Sequence, residues 1–159
     1  MPEWCLRFGI VPLANQQPFS REEAAAYTER LLALGAENGI DRLGVAPATT
    51  MQRARETLHA RKSLGLHDTM QFTYRNPDRS TNPQVSVPNA QAMIVGACSY
   101  ATDAPPAPLQ LSARVARYAW ANYYESLRAG LGVVSEALQA AGWNAQVFVD
   151  HNALVDRES

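Results

Sequence analysis

The chain is poor in cysteine: only Cys5 and Cys98 occur, far apart and in no C-x-x-C pair. That scarcity excludes a disulfide framework, a cysteine zinc site and a self-contained iron–sulfur cluster, which takes four thiolates. Long apolar runs are missing too, and none approaches the ~20 residues that cross a bilayer. No secretory leader is expected, since the start carries Glu3 and Arg7 and no basic stretch leading into an apolar one. The expected compartment is the cytoplasm, with no membrane partner. Charge of one sign is also lacking, at a formal net of -1, so the chain has no overall basic excess for binding nucleic acid. No glycine-rich phosphate loop follows a strand, because Gly130-Leu131-Gly132 lies inside a helical pattern. No order of Ser, His and Asp is specific enough to argue for a hydrolase.

What is present suits one globular domain of 159 residues, with 47% hydrophobic and 18% charged side chains. Residues 1–19 read as an extended lead-in holding one short strand, and 20–159 as the domain proper. Ser20-Arg21-Glu22-Glu23 has the capping-box pattern that opens a helix. Ala24, Tyr27, Leu31 and Leu34 then form one apolar stripe, and Gly39 suits a left-handed stop. Ile40 to Val45 leans to strand, with Pro47 closing it. A second helix is expected from Met51 to Ser63, with Gly65 behind it. From Gly65 to Ala90 the period vanishes, and Pro77, Pro83 and Pro88 punctuate a segment too long for an ordinary connection. Ala92 to Cys98 is apolar throughout, as a central strand covered on both faces would be. Ala101 to Leu109 holds three prolines and reads as loop. Tyr124, Leu127, Leu131, Val134 and Leu138 recur at helical spacing up to Gly142, and Asn144 to Val149 reads as a last strand. The fold class is α/β, with α+β as the alternative: helices covering a central mixed sheet.

Several side chains could carry chemistry. Asp150 directly follows a strand, where open α/β sheets tend to place ligands, and it equally suits a helix N-cap together with Asn152. Residues 41–79 hold seven basic side chains (Arg42, Arg53, Arg55, Arg61, Lys62, Arg75, Arg79) against four acidic ones (Asp41, Glu56, Asp68, Asp78), which is either a solvated surface or an anion-binding edge. Arg75, Arg79, Arg114 and Arg117 offer guanidinium forks to phosphate or amide oxygens. His67 reads as a loop residue before it reads as a metal ligand. His59 falls in a helical pattern, and a charged His151 would lower the pKa of Asp150 and so oppose its use as an acid.

Read in order, Gly65-Leu66-His67, Met70, Phe72, Arg75-Asn76-Pro77, Pro88-Asn89-Ala90, Tyr100, Arg117-Tyr118-Ala119-Trp120 and Val149-Asp150 with Leu154 and Arg157 form a recognisable series. Over roughly residues 25–157 it resembles the N-terminal half of epoxyqueuosine reductase, the corrinoid-dependent iron–sulfur enzyme of queuosine tRNA modification. Two departures accompany the likeness. Where that family has Gly-x-Asp-Tyr-His, this chain reads Ala121-Asn122-Tyr123-Tyr124-Glu125, and Ala153 stands in place of a proline.

The resemblance implies a domain that holds cobalamin, with Met70, Phe72, Arg117, Tyr118, Trp120 and His67 as candidate contacts; core packing is the ordinary alternative for the apolar and aromatic ones. It assigns Asp150 the role of general acid for the alkoxide left when a carbon–oxygen bond breaks. Only a pKa raised by burial keeps a proton there to give. The 4Fe–4S clusters are expected in a ferredoxin-like part beyond Ser159, so that this chain alone would show no reductase turnover and only weak tRNA binding. Two alternatives stand beside this reading: a non-catalytic corrinoid-binding or carrier domain, and a truncated, cofactor-free remnant.

Overall fold

The structure, a computed structural model, describes residues 19–69, 71–101 and 115–149, together with the backbone of 5–12. Its frame is a four-stranded sheet of β1 (Cys5–Pro12), β2 (Arg42–Pro47), β3 (Ala92–Ala97) and β4 (Trp143–Val147), in the order β2-β3-β1-β4. Every pairing is antiparallel. The expected layering of helices on a sheet is therefore present, but the sheet is antiparallel where a mixed one was expected. The reason lies in β1, which the sequence placed in a lead-in. It inserts between β3 and β4, with Cys5 opposite Ala97 and Phe8 opposite Val147, and so separates two strands that run the same way.

Helix α1 (Arg21–Glu37) joins β1 to β2, and helix α6 (Tyr123–Ala140) joins β3 to β4. Each connection links two like-directed strands across a third, which makes two interleaved split β-α-β units. This strand order is the ferredoxin-like one, a statement about topology and not about any cluster. Both helices start as the sequence indicates. Ser20 Oγ accepts from the Glu23 N–H at 3.2 Å while Glu23 Oε2 accepts from the Ser20 N–H at 2.8 Å, completing the capping box. Asn122 Oδ1 accepts from the Glu125 N–H at 3.3 Å at the start of α6. Gly39 and Gly142, with φ of +82° and +87°, take the left-handed turns beyond the two helix ends.

The core between these helices and the sheet centres on Ile94, Leu131 and Val134, all at most 1% exposed, with Leu31, Ile40, Leu127 and Leu138 around them. Burying a side chain of this kind contributes about 1.5–3 kcal/mol. Close approach is part of this packing: a β-carbon on Gly130 would stand 2.6 Å from the Asn38 carbonyl oxygen. Gly130 and Gly132 thus sit within a helix, as their spacing indicated.

The opposite face of β3 is covered by the long segment between β2 and β3. It begins with α2 (Gln52–Ser63), followed by Gly65 at φ +68°. The aperiodic stretch then forms three single-turn helices, α3 (Phe72–Arg75), α4 (Pro77–Ser80) and α5 (Pro83–Ser86). Two of its prolines start turns rather than break them, because each sits at the first helical position behind a capping asparagine, Asn76 or Asn82. The Met51 N–H donates to the Thr81 carbonyl at 2.8 Å, tying the start of α2 to the end of α4. Val87 and Ala90 then bury against Met93 and Ala48. The strand expected to be covered on both faces is so covered. Among the described residues no helix is long and apolar enough to cross a membrane.

Candidate functional site

Strands β3 and β4 run the same way, so their carboxyl ends leave the sheet on one side. At that side the end of β3, the start of α6 and a single 3-10 turn at Arg117–Ala119 enclose a pocket. It holds about 430 Å³, counting the space open at its mouth, and is lined by Cys98, Tyr100, Tyr118, Tyr123, Tyr124 and Leu127. Four phenol rings and one leucine make its wall, with no carboxylate and no cation among the described lining residues.

The floor is fixed by the turn between α1 and β2. Cys98 Sγ donates to the Gly39 carbonyl at 3.1 Å, and the Ser99 N–H donates to Asp41 Oδ2 at 2.5 Å. Burial, reinforced by the Asp41 charge, pushes the Cys98 thiol above its ordinary pKa against an opposing hydrogen bond from Asp41. The rings of Tyr100 and Tyr123 lie 5.9 Å apart and tilted, the spacing of an attractive aromatic pair. Leu127 is 5% exposed and belongs to the core, whereas Tyr124, one turn earlier, is 41% exposed. The apolar stripe of α6 therefore runs out of the core and into the pocket wall.

Of the residues singled out from the sequence, Tyr118 lines this pocket. Arg117 and Trp120 share its turn but not the lining: the guanidinium stacks over the indole at 5.9 Å, and Trp120 Nε1 donates to the Val115 carbonyl at 2.9 Å. His67 lies elsewhere, with its ring 5.6 Å from Tyr74. Phe72 opens α3, but its side chain, like Met70, Arg114, Asp150 and His151, lies outside the described residues. Sequence reasoning missed Cys98, Tyr100, Tyr123, Tyr124 and Leu127 as pocket residues. Their signal was present only as packing, a strand end and a helix stripe, and nothing local said that these two elements meet.

A second constellation forms where α2 meets α3 and α4. Arg55 Nε donates to Asp78 Oδ1 at 2.5 Å, and His59 Nε2 lies 3.1 Å from the same oxygen. These two partners hold the Asp78 carboxyl below its usual range. Lys62 Nζ donates to the Arg75 carbonyl at 3.1 Å. Among the described residues no group of three His, Cys, Asp or Glu side chains is placed to hold a metal ion.

The pocket lining falls wholly within one recognisable stretch. Residues 80–151 match the family model for epoxyqueuosine reductase QueG, DUF1730. The match spans somewhat under half of the chain and takes in β3, the 3-10 turn, α6 and β4. It relates this protein to the QueG family through the DUF1730 part. No curated protein and no solved structure gives a significant match.

Behind Pro88, Asn89 has a φ of +61°. That left-handed conformation is free to glycine and, of the other residues, most open to asparagine.

Proposed function

We propose that this chain is the corrinoid-binding N-terminal portion of an epoxyqueuosine reductase, which converts epoxyqueuosine to queuosine in tRNA. The observation that carries the reading is a coincidence: every described residue lining the aromatic pocket lies inside the stretch that matches the family model. The pocket also suits part of such a cofactor. A corrin is a broad disc with an apolar face and an amide fringe, and the open cleft walled by Tyr100, Tyr118, Tyr123 and Tyr124 offers ring faces to one edge of it. Phenol faces supply contact area, and phenol hydroxyls supply partners for the fringe.

When bound, the corrinoid would supply the electrons that remove the epoxide oxygen, with 4Fe–4S clusters on a further part of the enzyme feeding it. This chain's own contribution is to orient and to protonate. Tyr118 and Tyr123 would hold the ring edge and exclude water from that side. Asp150, next in the chain after buried Val149, is the group assigned to keep a proton for the departing oxygen. A desolvated neighbour such as a bound macrocycle would raise its pKa and so link acid strength to cofactor occupancy.

The test is an anaerobic cobalamin titration followed by visible absorption. Tyr118→Ala and Tyr123→Ala should each weaken binding on the order of tenfold, equivalent to about 1.4 kcal/mol of lost ring contact. Unchanged affinity in both variants, or no binding by the parent chain, refutes the reading. A second reading, a corrinoid-binding domain without catalysis, is favoured by one observation: Tyr123, a neutral ring, lines the pocket at the position where the resembled family carries aspartate. It predicts binding in this titration with no turnover by the chain joined to a cluster-bearing half.

A further inference from the structure

The two edges of the sheet are finished differently. At β4, helix α6 reaches the strand: Gln139 Nε2 donates to the Ala145 carbonyl at 3.0 Å, and Ser135 Oγ donates to the same oxygen at 3.4 Å. At β2 no bond from another described residue reaches the side turned away from β3. Which backbone groups stand on that open side follows from the register. The Ala48 N–H donates to the Gln91 carbonyl at 3.2 Å, one step past the pair of Pro47 and Ala92. Bonding direction alternates along a strand, so Ala46, Gly44 and Arg42 also turn their groups to β3, while Leu43, Val45 and Pro47 turn theirs outward. Proline has no N–H, and an outward position on an edge strand is where that omission breaks no ladder bond. The open row therefore holds two donors, at Leu43 and Val45, and three acceptors, at Leu43, Val45 and Pro47.

Edge strands are ordinarily guarded by charges, a bulge or a covering segment. Strand β2 has its one charge at its first residue, Arg42, and its middle reads Leu43-Gly44-Val45-Ala46. Val45 is 51% exposed on the face from which Leu43 packs against the core. On the other face, a β-carbon on Gly44 would meet nothing within 4 Å. Among the described residues, neither layer of the fold closes over the middle of this strand.

We infer that β2 pairs with β2 of a second copy of this chain, antiparallel about a twofold axis at Val45. In that register the row is complementary to itself. Each Val45 exchanges both of its bonds with the other Val45, and each Leu43 N–H meets the Pro47 carbonyl of the other copy, so the donors at Leu43 and Val45 are all used. Charge agrees with this pairing. Arg42 falls opposite Ala48 of the other copy and about 20 Å along the strands from the second Arg42, well beyond a screening length of about 8 Å. A parallel pairing would set the two guanidinium groups side by side. One strand pair buries little area, so the dimer is a weak one, with a Kd between about 1 μM and 1 mM. This inference goes beyond the corrinoid reading and does not depend on it.

The experiment is sedimentation equilibrium of the whole chain at loadings up to about 1 mM, where the parent should show a monomer–dimer equilibrium. Val45→Lys and Val45→Glu each set like charges directly opposite one another, and each should raise Kd on the order of tenfold. Mixed in equal amounts, the two variants should associate more tightly than either does alone, because Lys then faces Glu. That recovery reads the register itself, since it requires position 45 to meet position 45. Val85→Lys, at a comparably exposed valine on α5, should associate as the parent does. Val45→Pro removes an outward N–H and no bond to β3, so it should keep the parent's far-UV circular dichroism and lose association. The inference is overturned by a parent that stays monomeric up to about 1 mM, by equal losses in Val85→Lys and Val45→Lys, or by a Lys and Glu mixture that associates no better than its components.

Discussion

Two glycines on one helix should respond to the same substitution with opposite signs. In α6, alanine is favoured over glycine by roughly 0.5–1 kcal/mol, because glycine gives up more backbone freedom on folding. Gly132 has nothing within 4 Å of where a β-carbon would stand, so Gly132→Ala should realise that gain. At Gly130 the added carbon would lie 2.6 Å from the Asn38 carbonyl oxygen and 3.0 Å from Ile40 Cγ1. The first is backbone at the end of α1, and the second belongs to a residue only 2% exposed, so neither swings aside as a flexible side-chain tip would. Relieving the contact means moving α6 away from α1 at the centre of the core. Overpacking of this kind costs about 1–3 kcal/mol, and subtracting the helix gain leaves a net loss of about 1–2 kcal/mol. For a chain of this size each kcal/mol shifts Tm by about 2–4 °C. Thermal unfolding followed by far-UV circular dichroism should therefore show Gly130→Ala lower by about 2–8 °C and Gly132→Ala higher by about 1–4 °C. Equal stability of Gly130→Ala and the parent would refute the close packing of α6 on the end of α1.

Asn89→Gly should leave stability within a few tenths of a kcal/mol, whereas Asn89→Ala, which forces a β-carbon into φ near +61°, should cost about 1 kcal/mol in urea unfolding. In a Cys5→Ser background, Cys98 should react with iodoacetamide more slowly than a free thiol at about pH 8, since its pKa lies above the usual value and only thiolate reacts; the rate should climb as pH passes the ordinary thiol range. Saturating cobalamin should slow that labelling further, and unprotected labelling would place the corrinoid outside the pocket. In the chain joined to its cluster-bearing half, Asp150→Asn should lower turnover by roughly 10²- to 10⁴-fold while sparing corrinoid affinity, and near-normal turnover would return Asp150 to a capping role.

The elements legible in the sequence are those with local causes. Ser20 and Glu23 cap α1 through bonds within one turn, and Gly39, Gly65 and Gly142 mark helix ends by a conformation that needs no distant partner. The stretch behind α2 was less legible because Asn76-Pro77 and Asn82-Pro83 have two meanings. In a loop such pairs are punctuation, and behind a capping asparagine they are the first residues of a turn. Strand order had no local signal at all. That β1 separates β3 from β4 depends on pairings with residues more than 80 positions away, and this one insertion decides that the sheet is antiparallel. The pocket shares that property, since Tyr100, Tyr118 and Tyr123 become one wall only when β3 and α6 are packed together.

The likeness to the reductase family and the departures from it fall on different kinds of position. Asn89 occupies a backbone turn at φ +61°, and few residues can take that conformation, so the scaffold limits the choice. Tyr123 and Glu125 occupy positions where the family has Asp and His, and these belong to the site or its margin. Tyr123 lines the pocket, whereas Glu125 lies at the start of α6, where Asn122 Nδ2 is 3.4 Å from its carboxylate. At that position this chain's pocket wall is aromatic. A ligand held by phenol faces gains its affinity from contact area, which salt hardly screens. Raising ionic strength should therefore leave an occupied pocket occupied, and loss of cobalamin from the chain as salt is added would refute the contact-area account of the pocket.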